Sequence, residues 1–216
     1  QTPLAAVFFG LEILVLGKLQ LVALLPMTVA SFVASTTSHL LGLEKFSHFV
    51  DVSLNLDIFL FFKLALLGII FGLVGNAFAA FLAFSKEKAK EVFANPYYRI
   101  LFGGIFLSLL FLMFFNGRYS GLAIGFQGGE VTPLFAIGAS LGVVLAKIFG
   151  LPVEFVAAAG YISVFGSATN TLLAPIFIGG EVFGFANLPY FTLVMIFAYS
   201  LNRRNSIYTG QEVLSF

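Results

Sequence analysis

The order of apolar and polar positions divides this chain into greasy segments separated by short polar or glycine-rich breaks. Residues 2–14, TPLAAVFFGLEIL, read as a short apolar helix carrying one acid, Glu12. After Gly17 and Lys18, residues 19–41 make a second helix, with Pro26 early enough to kink it and a polar tail from Ser35 to His39. A mixed loop is expected over 43–57. Residues 58–84 are apolar except for Lys63 and Asn76, a run of about 40 Å at about 1.5 Å per residue. That exceeds a hydrocarbon core of roughly 30 Å, so this helix must tilt or protrude. Gly68 and Gly72 stand one turn apart in it, the spacing at which two helix backbones approach closely. Lys86, Lys88, Lys90 and Arg99, interleaved with Glu87 and Glu91, are read as a short basic loop. Such a loop marks the cytoplasmic end of the long helix.

Beyond Pro96, residues 99–115 form another apolar helix, and 116–129 a short glycine-rich connection. A helix over 132–149 carries a further pair, Gly138 and Gly142. Two short helices follow at about 153–167 and 171–183, joined around Ser167 to Asn170. One more covers 188–201, ahead of Arg203 and Arg204, which read as a membrane-edge anchor. Many of these segments, at 13 to 18 residues, are too short to span a bilayer alone. Short, Gly- or Pro-interrupted segments are the mark of discontinuous membrane helices whose ends meet at a binding site.

Composition sharpens the class. The chain is 60% hydrophobic and 10% charged, with mean hydropathy +1.04, where soluble domains carry roughly 25% charged residues. The fold class is therefore an all-α polytopic membrane protein. A net charge of +1 gives no reason to expect a nucleic-acid partner, and the lack of cysteine excludes a disulfide framework or thiolate metal site. No cofactor is called for. The start, Gln1 followed directly by Thr2 and Pro3, has no charged leader and reads as the interior of a longer protein.

The candidate chemistry lies in Gly128, Gly129, Glu130, Val131, Thr132, Pro133, Leu134 and Phe135. The two glycines break any incoming helix; Thr132 offers a cap hydroxyl and Pro133 suits the first helical position. A helix starting here has open N–H groups and the positive end of its dipole around Leu134 to Ala136. Set inside a membrane, that is an anion seat made of backbone. Glu130 stands beside it, and an ionised carboxylate there would repel a bound anion. The same motif also begins ordinary loop-to-helix junctions, where an acid is simply favourable.

An internal repeat adds a second signal. Thr2 to Glu12 matches Thr171 to Glu181 in register, with Thr, Leu, Ala, Phe, Gly and Glu recurring. Glu12 and Glu181, each in an apolar helix, are functional candidates by default, and their pairing makes a structural role equally open.

GGEVTPLFAIGASLG resembles the anion-site helix of the CLC chloride-channel and proton-antiporter family, where the element reads G-x-F-x-P. SIYTGQ is similar to the start of that family's last helix, whose tyrosine faces the central anion. The Glu-Val-Thr form resembles the bacterial fluoride/proton antiporter branch. The resemblance implies that the chain is the C-terminal part of a CLC-type inverted-repeat fold, with 1–42 ending the first half and 54–216 making most of the second. It implies functional roles for Glu130, Thr132 and Tyr208, with Glu130 coupling protons. Together with the helix-start seat read above, the expected anion site is Gly128, Gly129, Glu130, Val131, Thr132, Leu134, Phe135 and Tyr208. The ions would be fluoride or chloride with protons. It further implies a homodimer through 2–14, 19–41, 171–183 and 188–201, in a bilayer expected to be a bacterial inner membrane. The family places additional membrane helix where this chain has only the connection 116–129.

Fluoride/proton antiport leads the alternatives. A CLC-type chloride channel or chloride/proton antiporter is the runner-up. An intramembrane enzyme with Glu130 as general base is the third, and no nucleophile–base pair or metal cluster supports it.

Overall fold

The computed structural model describes residues 2–92, 95, 97–98, 101–102, 104–105, 109, 131–202, 205–208 and 211–213. Glu130 with Gly128 and Gly129, the connection 116–129, and Arg203 and Arg204 lie outside the described residues. Helices run at Pro3–Glu12 (α1), Leu24–Leu40 (α2), Ile58–Val92 (α3), Val131–Phe149 (α4), Val153–Thr169 (α5), Leu173–Phe183 (α6) and Leu188–Ser200 (α7). Single 3-10 turns at Leu21–Ala23 and Phe185–Asn187 lead into α2 and α7. Of the apolar segment 99–115, residues 101, 102, 104, 105 and 109 are described, and all are helical. Among the described residues, three helical spans are long and apolar enough to cross a membrane: Leu21–Leu40, Ile58–Val92 and Val131–Phe149. This is an integral membrane protein.

α5 is the hub. Its sequence is apolar all round and rich in Ala and Gly, the pattern of a fully enclosed helix, and it is buried from Ala158 through Thr169 except at Tyr161. α3, α4, α6 and α7 all pack on it. Both glycine pairs serve the close contacts their spacing implies. A Cβ on Gly72 would lie 2.7 Å from the Ala198 carbonyl oxygen of α7. Gly138 meets the Gly160 carbonyl of α5 backbone to backbone, and Gly142 meets that of Val156. No flexible side chain stands at these crossings to give way. Gly138→Val is therefore expected to force α4 off α5, costing at least about 1–3 kcal/mol. An unfolding midpoint in detergent equal to that of the wild type would contradict this.

The basic cluster departs from expectation. Lys86, Lys88 and Lys90 lie on the last turns of α3 rather than in a loop. Residues 85–92 hold good helix formers and no Gly or Pro, so a helix already running continues into water. Lys88 and Glu91 pair at 2.7 Å one turn apart on this exposed extension. At 35 residues the helix is about 52 Å long, so it must protrude. Inside the bundle, Lys63 faces a neighbouring helix: its Nζ donates to the Phe149 carbonyl at 2.7 Å. A cation there meets the negative end of α4. The described chain also contains one non-helical pairing, in which Val15–Leu16 runs parallel to Glu212–Val213.

The repeat is a reciprocal clasp. Neither α1 nor α6 has a side-chain cap from its own N-terminus. Instead Glu12, at the end of α1, accepts from the N–H groups of Leu172 at 3.2 Å, Leu173 at 2.8 Å and Ala174 at 3.1 Å. Glu181, in the last turn of α6, accepts from Leu4 at 3.1 Å and Ala5 at 2.9 Å. Midway, the repeat-related Phe8 and Phe177 stack with centroids 4.3 Å apart and planes 5° apart. Each helix thus caps the other about a local two-fold, and both acids hold structural posts.

Candidate functional site

The element built on the GGEVTP sequence is α4. It is helical from Val131, one residue before the threonine expected to cap it, so Thr132 stands within the first turn. The open donors of a helix are those of its first turn. Here they come from Val131, Thr132 and Leu134, because Pro133 has no N–H. Leu134 is fully buried, Val131 and Phe135 are half-buried, and Thr132 is exposed. The glycine contacts along Gly138 and Gly142 hold this helix rigidly on α5, which fixes where its N-terminus points.

Phe135 meets the site with its ring. It lies flat on Tyr161 of α5, centroids 4.0 Å apart and planes 3° apart. Phe165, one turn further along α5, is 4.8 Å from the same ring. Phe165 in turn neighbours Phe9 of α1 at 6.0 Å, and Phe9 meets Tyr208 edge-on at 5.9 Å. Four rings, Phe135, Phe165, Phe9 and Tyr208, therefore run from near the start of α4 to Tyr208, with Tyr161 stacked on the first of them, and link the two site elements furthest apart in the motif reading. Tyr208 is half-buried, and its N–H donates to the Ser206 hydroxyl at 3.2 Å.

Tyr161, Phe165 and Phe9, which touch this run of rings, are marked by no sequence motif. Phe9 falls within the repeat, but aromatic residues are so frequent in this chain, 29 of them phenylalanine, that no single ring stands out. Their role emerges only when α1, α4 and α5 are seen side by side. Asn205 to Tyr208 lie in neither a helix nor a strand; Ile207 anchors them, buried, with its N–H on the Ala168 carbonyl at 3.0 Å.

This arrangement has clear relatives. The sequence matches the voltage gated chloride channel family over residues 1–124 and 119–203. The chain belongs to the CLC family. The two matched stretches meet at 119–124, inside the glycine-rich connection. A solved structure titled as a CLC-type fluoride/proton antiporter superposes with a TM-score of 0.91 at 49% identity, covering 99% of this chain and 62% of that one. A chloride/fluoride channel protein of Pseudomonas syringae pv. tomato is 30% identical over 247 residues, covering 98% of this chain and 55% of its own length. That stretch is longer than the present chain, so the Pseudomonas protein carries residues that this CLC chain lacks. The voltage-gated ClC-type chloride channel ClcB of Salmonella dublin is 26% identical over 182 residues, covering 69% of this chain and 43% of its own. The chain spans about half the length of these curated relatives.

Proposed function

We propose that this CLC chain supplies the central anion site of a fluoride/proton antiporter, in which Glu130 exchanges protons as the anion comes and goes. The observation that carries the reading is the run of rings that links Phe135, near the start of α4, to Tyr208, under a sequence that reads Gly-Gly-Glu-Val-Thr-Pro. Fluoride is small and strongly hydrated, so it must be offered well-aligned donors to replace its water. Backbone N–H groups of Val131, Thr132 and Leu134, with the hydroxyls of Thr132 and Tyr208, are of that kind. Gly128 and Gly129 let the backbone approach the ion, and Phe135 walls the site off from water.

Coupling then follows from electrostatics. A carboxylate about 4 Å from a bound anion costs about 4 kcal/mol at an effective dielectric near 20. Anion occupancy therefore raises the proton affinity of Glu130, and no covalent step is involved. The reading places residues 1–42 at the end of one inverted half and 54–216 in the other, in a bacterial inner membrane. It also pairs two copies through 2–14, 19–41, 171–183 and 188–201. In support, α2 has no buried residue, with Leu25 75% and Val33 58% exposed.

The test is a flux assay on the full-length protein in proteoliposomes. An outward fluoride gradient is expected to drive protons inward against no other force, and chloride to do so poorly. Fluoride loss without proton movement would favour the channel reading, and chloride preference the other branch.

A further inference from the structure

Among the described residues, Asn205 to Tyr208 lie in neither a helix nor a strand, so side-chain hydrogen bonds are left to hold the ring and hydroxyl of Tyr208 in place. Three residues before it, Asn205 is bonded through its side-chain nitrogen and through both of its backbone polar groups. Its Nδ2 donates to Asn76 Oδ1 of α3 at 2.7 Å, and its N–H donates to Asn202 Oδ1 at 3.1 Å. Its carbonyl accepts from Asn170 Nδ2 at 3.0 Å and from Asn202 Nδ2 at 2.8 Å. Three residues after Tyr208, Gln211 Nε2 donates to the Thr169 carbonyl at 3.2 Å, and its Oε1 accepts from the same Asn170 Nδ2 at 3.4 Å. Asn202 closes the loop by donating to the Ser167 carbonyl at 2.6 Å. Both ends of the tyrosine segment are thus fastened to one turn of α5.

Asn170 sits at the centre. It ends α5 in the left-handed conformation, φ 54° and ψ 39°, which asparagine tolerates better than other side-chain-bearing residues. That turn aims its amide at both Asn205 and Gln211. The whole set is neutral. A lysine or arginine in its place would compete with the site for the anion, and a carboxylate would repel it; amides fasten the backbone without adding charge.

We propose that Asn170, Asn205 and Gln211, with Asn76 and Asn202, are positioning residues that hold the Tyr208 hydroxyl at hydrogen-bond distance from the anion. The proposal rests on the reading of Tyr208 as an anion donor. A small ion gains from a donor only within a narrow range of distance, so a loosened segment loses most of what the hydroxyl contributes.

The experiment is a mutant cycle on the full-length protein, read by fluoride calorimetry and by unfolding midpoint. Tyr208→Phe alone is expected to weaken fluoride binding on the order of ten- to a hundred-fold. Asn170→Gly keeps the left-handed turn while removing both donor bonds, and Asn76→Leu removes the acceptor for Asn205. Each is expected to weaken binding about ten-fold when Tyr208 is present and to have no effect when Tyr208→Phe is already in place. Should Asn170→Gly fail to fold, Asn76→Leu carries the same cycle. Equal losses with and without the Tyr208 hydroxyl would overturn the clamp, as would unchanged affinity in both clamp variants. If Tyr208→Phe itself leaves affinity unchanged, the donor reading of Tyr208 falls first and the clamp with it.

Discussion

Glu130→Gln is expected to abolish proton coupling while leaving the fold and anion binding in place. Glutamine has nearly the shape of a protonated glutamate, so the packing around α4 need not change. What it lacks is a titratable proton. With a carboxyl beside the seat, each anion arriving at about 4 Å shifts the protonation balance by an energy of about 4 kcal/mol, roughly a thousand-fold. With an amide there is nothing to shift, and the two ion flows part company. Fluoride binding by the variant should match or exceed the wild type, since the repelling charge is gone. Proteoliposomes carrying an outward fluoride gradient would show fluoride movement, if any, without proton uptake. Proton pumping at the wild-type rate would remove Glu130 from the mechanism.

The second large effect is expected from the clasp between α1 and α6. Glu12→Ala leaves the N–H groups of Leu172, Leu173 and Ala174 without their acceptor, and each unmet buried donor costs about 1–3 kcal/mol. It also removes a negative charge from the positive end of α6. A single alanine variant should therefore lose several kcal/mol. Glu181→Ala, with two donors released, should lose somewhat less. The double variant should fall short of the sum, because the first cut already frees the pair to separate. Glutamine at either position keeps one acceptor oxygen and should lie between glutamate and alanine. Thermal unfolding in detergent would read the series, and one common midpoint for all of them would refute the clasp.

That clasp shows how far residue patterns reach. Two in-register glutamates in apolar helices announced that Glu12 and Glu181 were related, yet left a functional and a structural role equally open. The choice depends on which N–H groups each carboxylate meets, and those lie 160 to 177 positions away along the chain. The basic cluster is the opposite case. Charge alone made Lys86 to Lys90 look like a loop, whereas local propensity, with no Gly or Pro until Pro96, was the better guide to the end of α3.

Sequence by itself determined the class, the helical segments, the glycine crossings and the GGEVTP and SIYTGQ motifs, because each is written in neighbouring residues. Hydrophobic run length, a four-residue glycine spacing and a helix-start signature all act within a few turns of chain. Tertiary structure alone decided the rest. The ring path from Phe135 to Tyr208 draws one residue from each of several elements. The amide clamp joins Asn76 to Asn205 across 129 positions. Such contacts have no period and no spacing rule. They exist because burying the faces of α3, α4 and α7 on α5 brings distant polar groups into a shared interior, where a polar group left without a partner is costly.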